Sequence, residues 1–124
     1  MADGFTIKHR DELETMEGSG ETTWRLARKG LEEPAFGFNL VTIGAGGQIP
    51  EHDETASGQH EVFVILEGEG KLRLNGEDHP APAGTIARMA PEVSRTIVND
   101  SDAVLTALLI GVDPDGSYEP PPWA

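Results

Sequence analysis

The sequence contains no cysteine. That excludes a disulfide framework, a thiolate metal site and a cysteine nucleophile. It is also poor in positive charge: Lys8, Lys29 and Lys71 are its only lysines, and nine basic residues face 22 acidic ones, for a formal net charge of −13. A surface of that sign repels phosphate backbones and anionic lipid, so neither nucleic acid nor a membrane is an expected partner. No run approaches the ~18 apolar residues of a membrane span. The opening residues MADGFTIKHRDELE hold no apolar signal region, and the cytoplasm is the expected location. The one basic cluster, Lys8-His9-Arg10, is followed at once by Asp11 and Glu12 and reads as a solvated face. The glycines of GEGKLRLNG have no helix after them and therefore no phosphate-loop context.

What the sequence does have is punctuation. Fifteen glycines and nine prolines in 124 residues cut the chain into short segments, and no long stretch repeats at helical spacing. Strands are predicted over 23–28, 36–43, 61–66, 71–75, 85–89, 94–99 and 104–111. Their spacing of roughly ten residues is that of a sandwich or barrel, so the expected class is all-β and single-domain. Asn75-Gly76 is the strongest turn signal, because both residues tolerate the positive φ angles of a two-residue hairpin. The segment 11–16 is predicted to form a short helix. An N-terminal segment, 1–30, would lead into a barrel at 31–112. A Pro-rich tail, 113–124, would follow, with Tyr118 and Trp123 able to dock on the barrel or on a partner subunit.

The strands differ in pattern. KLRLN alternates, with Leu72 and Leu74 on one face and Lys71 and Arg73 on the other, as a half-exposed strand should. VFVIL and VLTALLI are apolar on both faces and need cover on both. The second cover is either another copy of the chain or a fold-back of 1–30 or of the tail. The first choice gives a homodimer, with Val62, Val64, Leu105 and Leu109 facing the contact.

The polar residues around the 61–66 strand are ordered. Gly47 is followed by His52, Glu54, Glu61 and Gly68; then come Gly84, Ala90-Pro91, Arg95 and Asn99. In extended chain, residues two apart share a face, so His52 and Glu54 can converge on Glu61, whereas His60 should point away unless the strand bulges. This order resembles the two motifs of the cupin superfamily: glycine, His-x-His, glutamate and glycine, then glycine, a proline turn, histidine and asparagine. The resemblance covers roughly 36–111 and implies a small jelly-roll β-barrel with a pocket. It also implies a metal site of three histidines and one glutamate. Here His52 and Glu61 stand at their family positions, but Glu54 replaces the second histidine and Arg95 the third. Arginine stays protonated and has no free lone pair, so it cannot be a ligand.

Three readings follow, of which the second, a binding pocket with a degenerate metal site, is the expected one. His52, Glu54 and Glu61 could form a three-ligand site for iron, manganese, zinc or nickel; by family resemblance this implies an enzyme of dioxygenase or isomerase type. Alternatively Arg95 replaces the metal as the cation of a binding pocket, its fork bridging Glu61 and Glu54 and favouring a small polar or anionic ligand. A metal-free enzyme with His52 or Glu61 as general base beside Arg95 belongs to the same pocket. The bland reading leaves His52 and Glu54 as surface loop residues and Glu61 as the start of a strand. Arg88 is read as an outer-face residue, His79 as a turn residue, and Phe36, Phe38 and Phe63 as core or pocket wall.

Overall fold

Alternation of apolar side chains sets two faces for each strand, and two sheets close on the apolar one. The computed structural model describes residues 4–115 and 118–123. Nine strands form among them: β1 (Thr15–Gly18), β2 (Thr22–Arg25), β3 (Gly37–Ile43), β4 (His60–Glu67), β5 (Glu69–Leu74), β6 (Glu77–Pro82), β7 (Ile86–Met89), β8 (Arg95–Val98) and β9 (Leu105–Val112). A six-stranded sheet runs β1-β2-β3-β9-β4-β7 and a three-stranded sheet runs β6-β5-β8, all pairs antiparallel. Between the sheets lie Val41, Ile43, Phe63, Ile65, Leu72 and Ile97, each at most 3% exposed. The chain is an all-β jelly-roll barrel, and its main sheet takes in β1 and β2 as well as strands from 31–112. No helix among the described residues is long and apolar enough to cross a membrane.

The hairpin at Asn75-Gly76 forms with both residues at positive φ, 52° and 81°, and Leu74 pairs with Glu77. The strand beyond it, β6, was not expected because Pro80 and Pro82 interrupt its sequence. It lies at the edge of its sheet, where a missing N–H need not face a partner. The predicted strand over 23–28 stops at Arg25, and Ala27–Leu31 forms the helix α1 instead. Ala, Arg, Lys and Leu are good helix formers. The helix expected over 11–16 is reduced to a 3₁₀ turn at Arg10–Glu12, capped by His9. Thr15 and Met16 belong to β1, paired with Arg25 and Trp24; cross-strand pairing outweighs local propensity there.

The pleat of β9 also corrects which residues face outward. Leu105 and Leu109 point inward with Ala107 and belong to the core, while Leu108 and Ile110 sit on the outer face opposite Val64 and Val62. A one-residue displacement exchanges the faces of a strand, and an uninterrupted apolar run gives no signal of parity. The outer residues Val62, Val64, Leu108 and Ile110 are half-buried, and Ile86 is 71% exposed. Residues before β1 are tied to this side by Arg10, whose guanidinium donates to Glu67 at 2.7 Å. Trp123 does not dock on its own barrel; it is 86% exposed.

Two glycines show why the spacing holds. At Gly47 a Cβ would lie 2.2 Å from the Gly20 carbonyl oxygen, and at Gly68, with φ +82°, 2.5 Å from that of Val104. Asn99 pins the same end of the barrel. It is fully buried, and its Nδ2 donates to the carbonyls of Ile43, Gly44 and Ala103 while Oδ1 accepts from Ser101. Asn99→Ala orphans these buried groups and is expected to lower stability by about 2–3 kcal/mol, read by urea unfolding. A loss of under ~0.5 kcal/mol would show that the amide is not a structural pin.

Candidate functional site

The site is assembled by a stretch of chain that is not a regular strand. Residues 48–52 run antiparallel beside β8, making single bridges from Gln48 to Val98 and from His52 to Arg95. His52 and Arg95 exchange both backbone hydrogen bonds, at 3.1 and 2.8 Å. A pair bonded in this way carries its side chains on one face, and both point to the open end of the barrel where β4 begins. Glu61 reaches the same point from β4. A turn at 54–58 returns Glu54 to it: the Glu54 N–H donates to the Pro91 carbonyl at 2.8 Å, and the Ser57 hydroxyl donates to Glu54 Oε1 at 2.8 Å.

Thus His52, Glu54, Glu61 and Arg95 are brought together. His52 Nε2 is 3.1 Å from Glu54 Oε2 and 3.6 Å from Glu61 Oε1. One ligand atom from each of the three residues lies within 4.8 Å of the others. His60, one residue from Glu61, is not in this group. The irregularity in β4 falls between Ile65 and Glu67, not at His60, which lines a separate cavity with Val112, Asp113, Pro114 and Tyr118.

Arg95 occupies a layer beneath the cluster. Its side chain is fully buried, NH1 donates to Glu61 Oε1 at 3.0 Å, and NH2 donates to the Ala90 carbonyl at 2.6 Å. Its Nε has no partner among the described residues. The fork therefore spans Glu61 and a backbone carbonyl rather than Glu61 and Glu54, and Arg95 reaches the cavity only through the carboxylate it holds. Burial pushes the Glu61 carboxyl above its ordinary range; Arg95 opposes this, Glu54 adds to it, and His52 lowers it.

The histidine ring supplies a further constraint. His52 Nδ1 is 2.9 Å from the Pro50 carbonyl, which can only accept, so Nδ1 carries the hydrogen of that bond. Nε2 is then aimed at two carboxylate oxygens. Converging lone pairs of this kind require an acceptor between them, either a proton or a metal ion. Ligands at right angles around an ion with bonds of ~2.1 Å lie about 3 Å apart, close to the separations seen. The donor set fits a divalent ion, and the backbone carbonyl on the far ring nitrogen is the usual orientation of a ligating histidine.

Beside the cluster is a cavity of about 230 Å³, lined by Trp24, Phe38, Asn39, Gln59, Glu61 and Leu109 among others. Phe38 borders this cavity, but its ring lies on the outer face of the sheet, opposite Ile110 and 5.2 Å from that of Phe36; Phe63 is core, and Arg88 is an exposed outer residue. A larger groove, about 420 Å³, lies elsewhere, beside the Lys29–Glu14 ion pair. Sequence reasoning missed Trp24, Asn39, Ser57 and Gln59. Ser57 carried a signal, three residues after Glu54 in a turn-rich stretch, and so did Gln59, two residues before Glu61 and on the same face of extended chain.

Residues 39–111 match the family model described as cupin domain. No curated protein matches the chain significantly. Among solved structures, a predicted oxalate decarboxylase from Thermotoga maritima is 23% identical, with a TM-score of 0.75 over 86% of this chain and 98% of its own. A sugar phosphate isomerase from Silicibacter pomeroyi is 21% identical, at 0.72 over 86% and 75%. A cupin protein from Bacteroides fragilis is 24% identical, at 0.70 over 90% and 92%. At these identities the structures establish the fold, whereas the family match spans more than half of the sequence. The chain belongs to the cupin family.

Proposed function

We propose that the protein binds a small polar ligand at the barrel mouth and that His52, Glu54 and Glu61 hold a divalent metal ion beside it. The observation that carries this is the convergence of His52 Nε2 with the Glu54 and Glu61 oxygens. One imidazole and two carboxylates suit iron(II), manganese or zinc. Bound there, such an ion acts as a Lewis acid on a ligand oxygen. The chain's residues do the rest. Pro50 fixes the histidine ring, Ser57 orients Glu54, and Arg95 holds Glu61 while offsetting one of the two negative charges. A neutral imidazole, two carboxylates, Arg95 and a divalent ion sum to +1, which favours an anionic oxygen on the ligand.

The test is titration of chelator-treated protein with Mn²⁺, followed by calorimetry. One equivalent is expected to bind, Glu54→Ala to abolish binding, and Ser57→Ala to weaken it by about tenfold. A wild-type chain that ignores added Mn²⁺, Fe²⁺ and Zn²⁺ would sink the metal reading. The Arg95–Glu61 ion pair would then be the only cation arrangement in the pocket, and the metal-free binding module would stand in its place.

We also propose that a second copy covers the outer face of β4 and β9. Val62, Val64, Leu108 and Ile110 form an apolar centre, and Arg88, paired across from Val62, makes no ion pair among the described residues. Two copies of this face would bury their apolar centres against each other. Light scattering at micromolar concentration is expected to return twice the chain mass of 13.3 kDa; the mass of one chain would refute the dimer.

A further inference from the structure

The wall of the cavity carries two side-chain amides, those of Asn39 on β3 and Gln59 just before β4. Neither amide makes a hydrogen bond to protein among the described residues, and neither is sealed from solvent. The position of Gln59 depends on an absence nearby. Gly111 pairs with Gly37 across β9 and β3, and a Cβ on Gly111 would meet Gln59 Oε1 at 2.9 Å and Glu61 Oε2 at 3.9 Å. The Gln59 amide therefore lies over Gly111, on the Glu61 side, where any side chain on Gly111 would compete with it.

The rest of the lining limits what can enter. Trp24 and Leu109 provide an apolar surface for a carbon skeleton, and no lysine or arginine lines the cavity. Arg95, beneath the cluster, is buried with both terminal nitrogens engaged. A phosphate dianion would enter beside the Glu61 carboxylate with no lysine or arginine facing it. The volume of about 230 Å³ suits a compound of a few carbon atoms rather than a large one. Amides donate and accept at neighbouring atoms, which suits hydroxyl oxygens.

We propose that Gln59 and Asn39 are the specificity-determining pair of this pocket and that they select a hydroxylated three- or four-carbon compound, neutral or singly charged, rather than a phosphate ester. The ligand class rests on the pocket proposed above, but the amide contacts do not depend on the metal.

The experiment is a ¹H–¹⁵N titration with D-glycerate, 3-phospho-D-glycerate and erythritol, with Mn²⁺ affinity measured separately on each variant. D-glycerate and erythritol are expected to shift the Gln59 and Asn39 side-chain amides and the Trp24 indole, saturating at millimolar concentration. With chelator present, the phosphorylated compound should bind about tenfold more weakly than glycerate. Gln59→Ala, and Gly111→Ala by displacing Gln59, should each weaken binding about tenfold and leave Mn²⁺ affinity within about twofold, since neither residue is a ligand. Equal or tighter binding of the phosphate ester overturns the proposal. So does unchanged affinity in both variants, or no shift from any compound up to roughly ten times a millimolar dissociation constant. Absence of Mn²⁺ binding in the wild type would overturn the metal reading alone, because erythritol shifts are read with chelator present.

Discussion

Arg95→Ala is expected to lower the stability of the metal-free protein by about 3–5 kcal/mol, or roughly 10–20 °C in Tm for a chain of this size. The arginine is fully buried, so truncating it removes a large packed side chain. It also strips Glu61 and the Ala90 carbonyl of a donor, and Glu61 is then left beside Glu54 with no compensating positive charge beneath it. Arg95→Met separates the two contributions by keeping the unbranched stem. Removing the charge and its partner together, in Arg95→Met with Glu61→Gln, should recover more than half of the loss, because a buried ion pair is often replaceable as a unit though not by halves. If Arg95→Ala unfolds within ~1 kcal/mol of the wild type in urea, the ion pair is not a structural element of the barrel.

Arg95→His reverses the sign of the same position toward metal. His52 and Arg95 are directly opposed across a doubly hydrogen-bonded bridge, so an imidazole at this position projects to the face that His52, Glu54 and Glu61 already share. It adds a fourth donor and removes the positive charge nearest the ion. Zn²⁺ or Mn²⁺ is expected to bind about 10–100-fold more tightly than to the wild type, on the scale by which ligand-supporting groups alter metal affinity. The metal-free variant loses the Arg95–Glu61 bond and should melt earlier than the wild type, with added metal raising its Tm. Calorimetry and thermal melts with and without chelator check both halves. Equal metal affinity in the two chains would mean that β8 does not aim this position at the cluster.

The two predictions use the same residue because Arg95 is where the sequence departs most from its family pattern. The departure was visible without a structure, as was the order of glycines around it. What it does was less visible. A fork bridging Glu61 and Glu54 was as good a reading as one held by Glu61 and a carbonyl. The choice was made by the turn that begins at Ala90, whose carbonyl also accepts from Val93, and by the Ser57 hydroxyl, which holds Glu54 on the other side of His52.

The sequence by itself determined the all-β class, the Asn75-Gly76 hairpin, most strand positions and the set His52, Glu54, Glu61 and Arg95. These follow from local rules: a period of two, turn residues at positive φ, and residue types at motif spacing. Only the tertiary structure decided the faces of the apolar strands, where Leu105 and Leu109 proved internal, because a continuous apolar run has no parity to read. The strands β1 and β6 were likewise decided by pairing rather than propensity. The pocket walls are the clearest case. Trp24, Asn39 and Gln59 come from three separate segments, and nothing local marks Trp24 or Asn39. They become neighbours of Glu61 only because β2, β3, β9 and β4 lie side by side, a juxtaposition fixed by burial over the whole sheet.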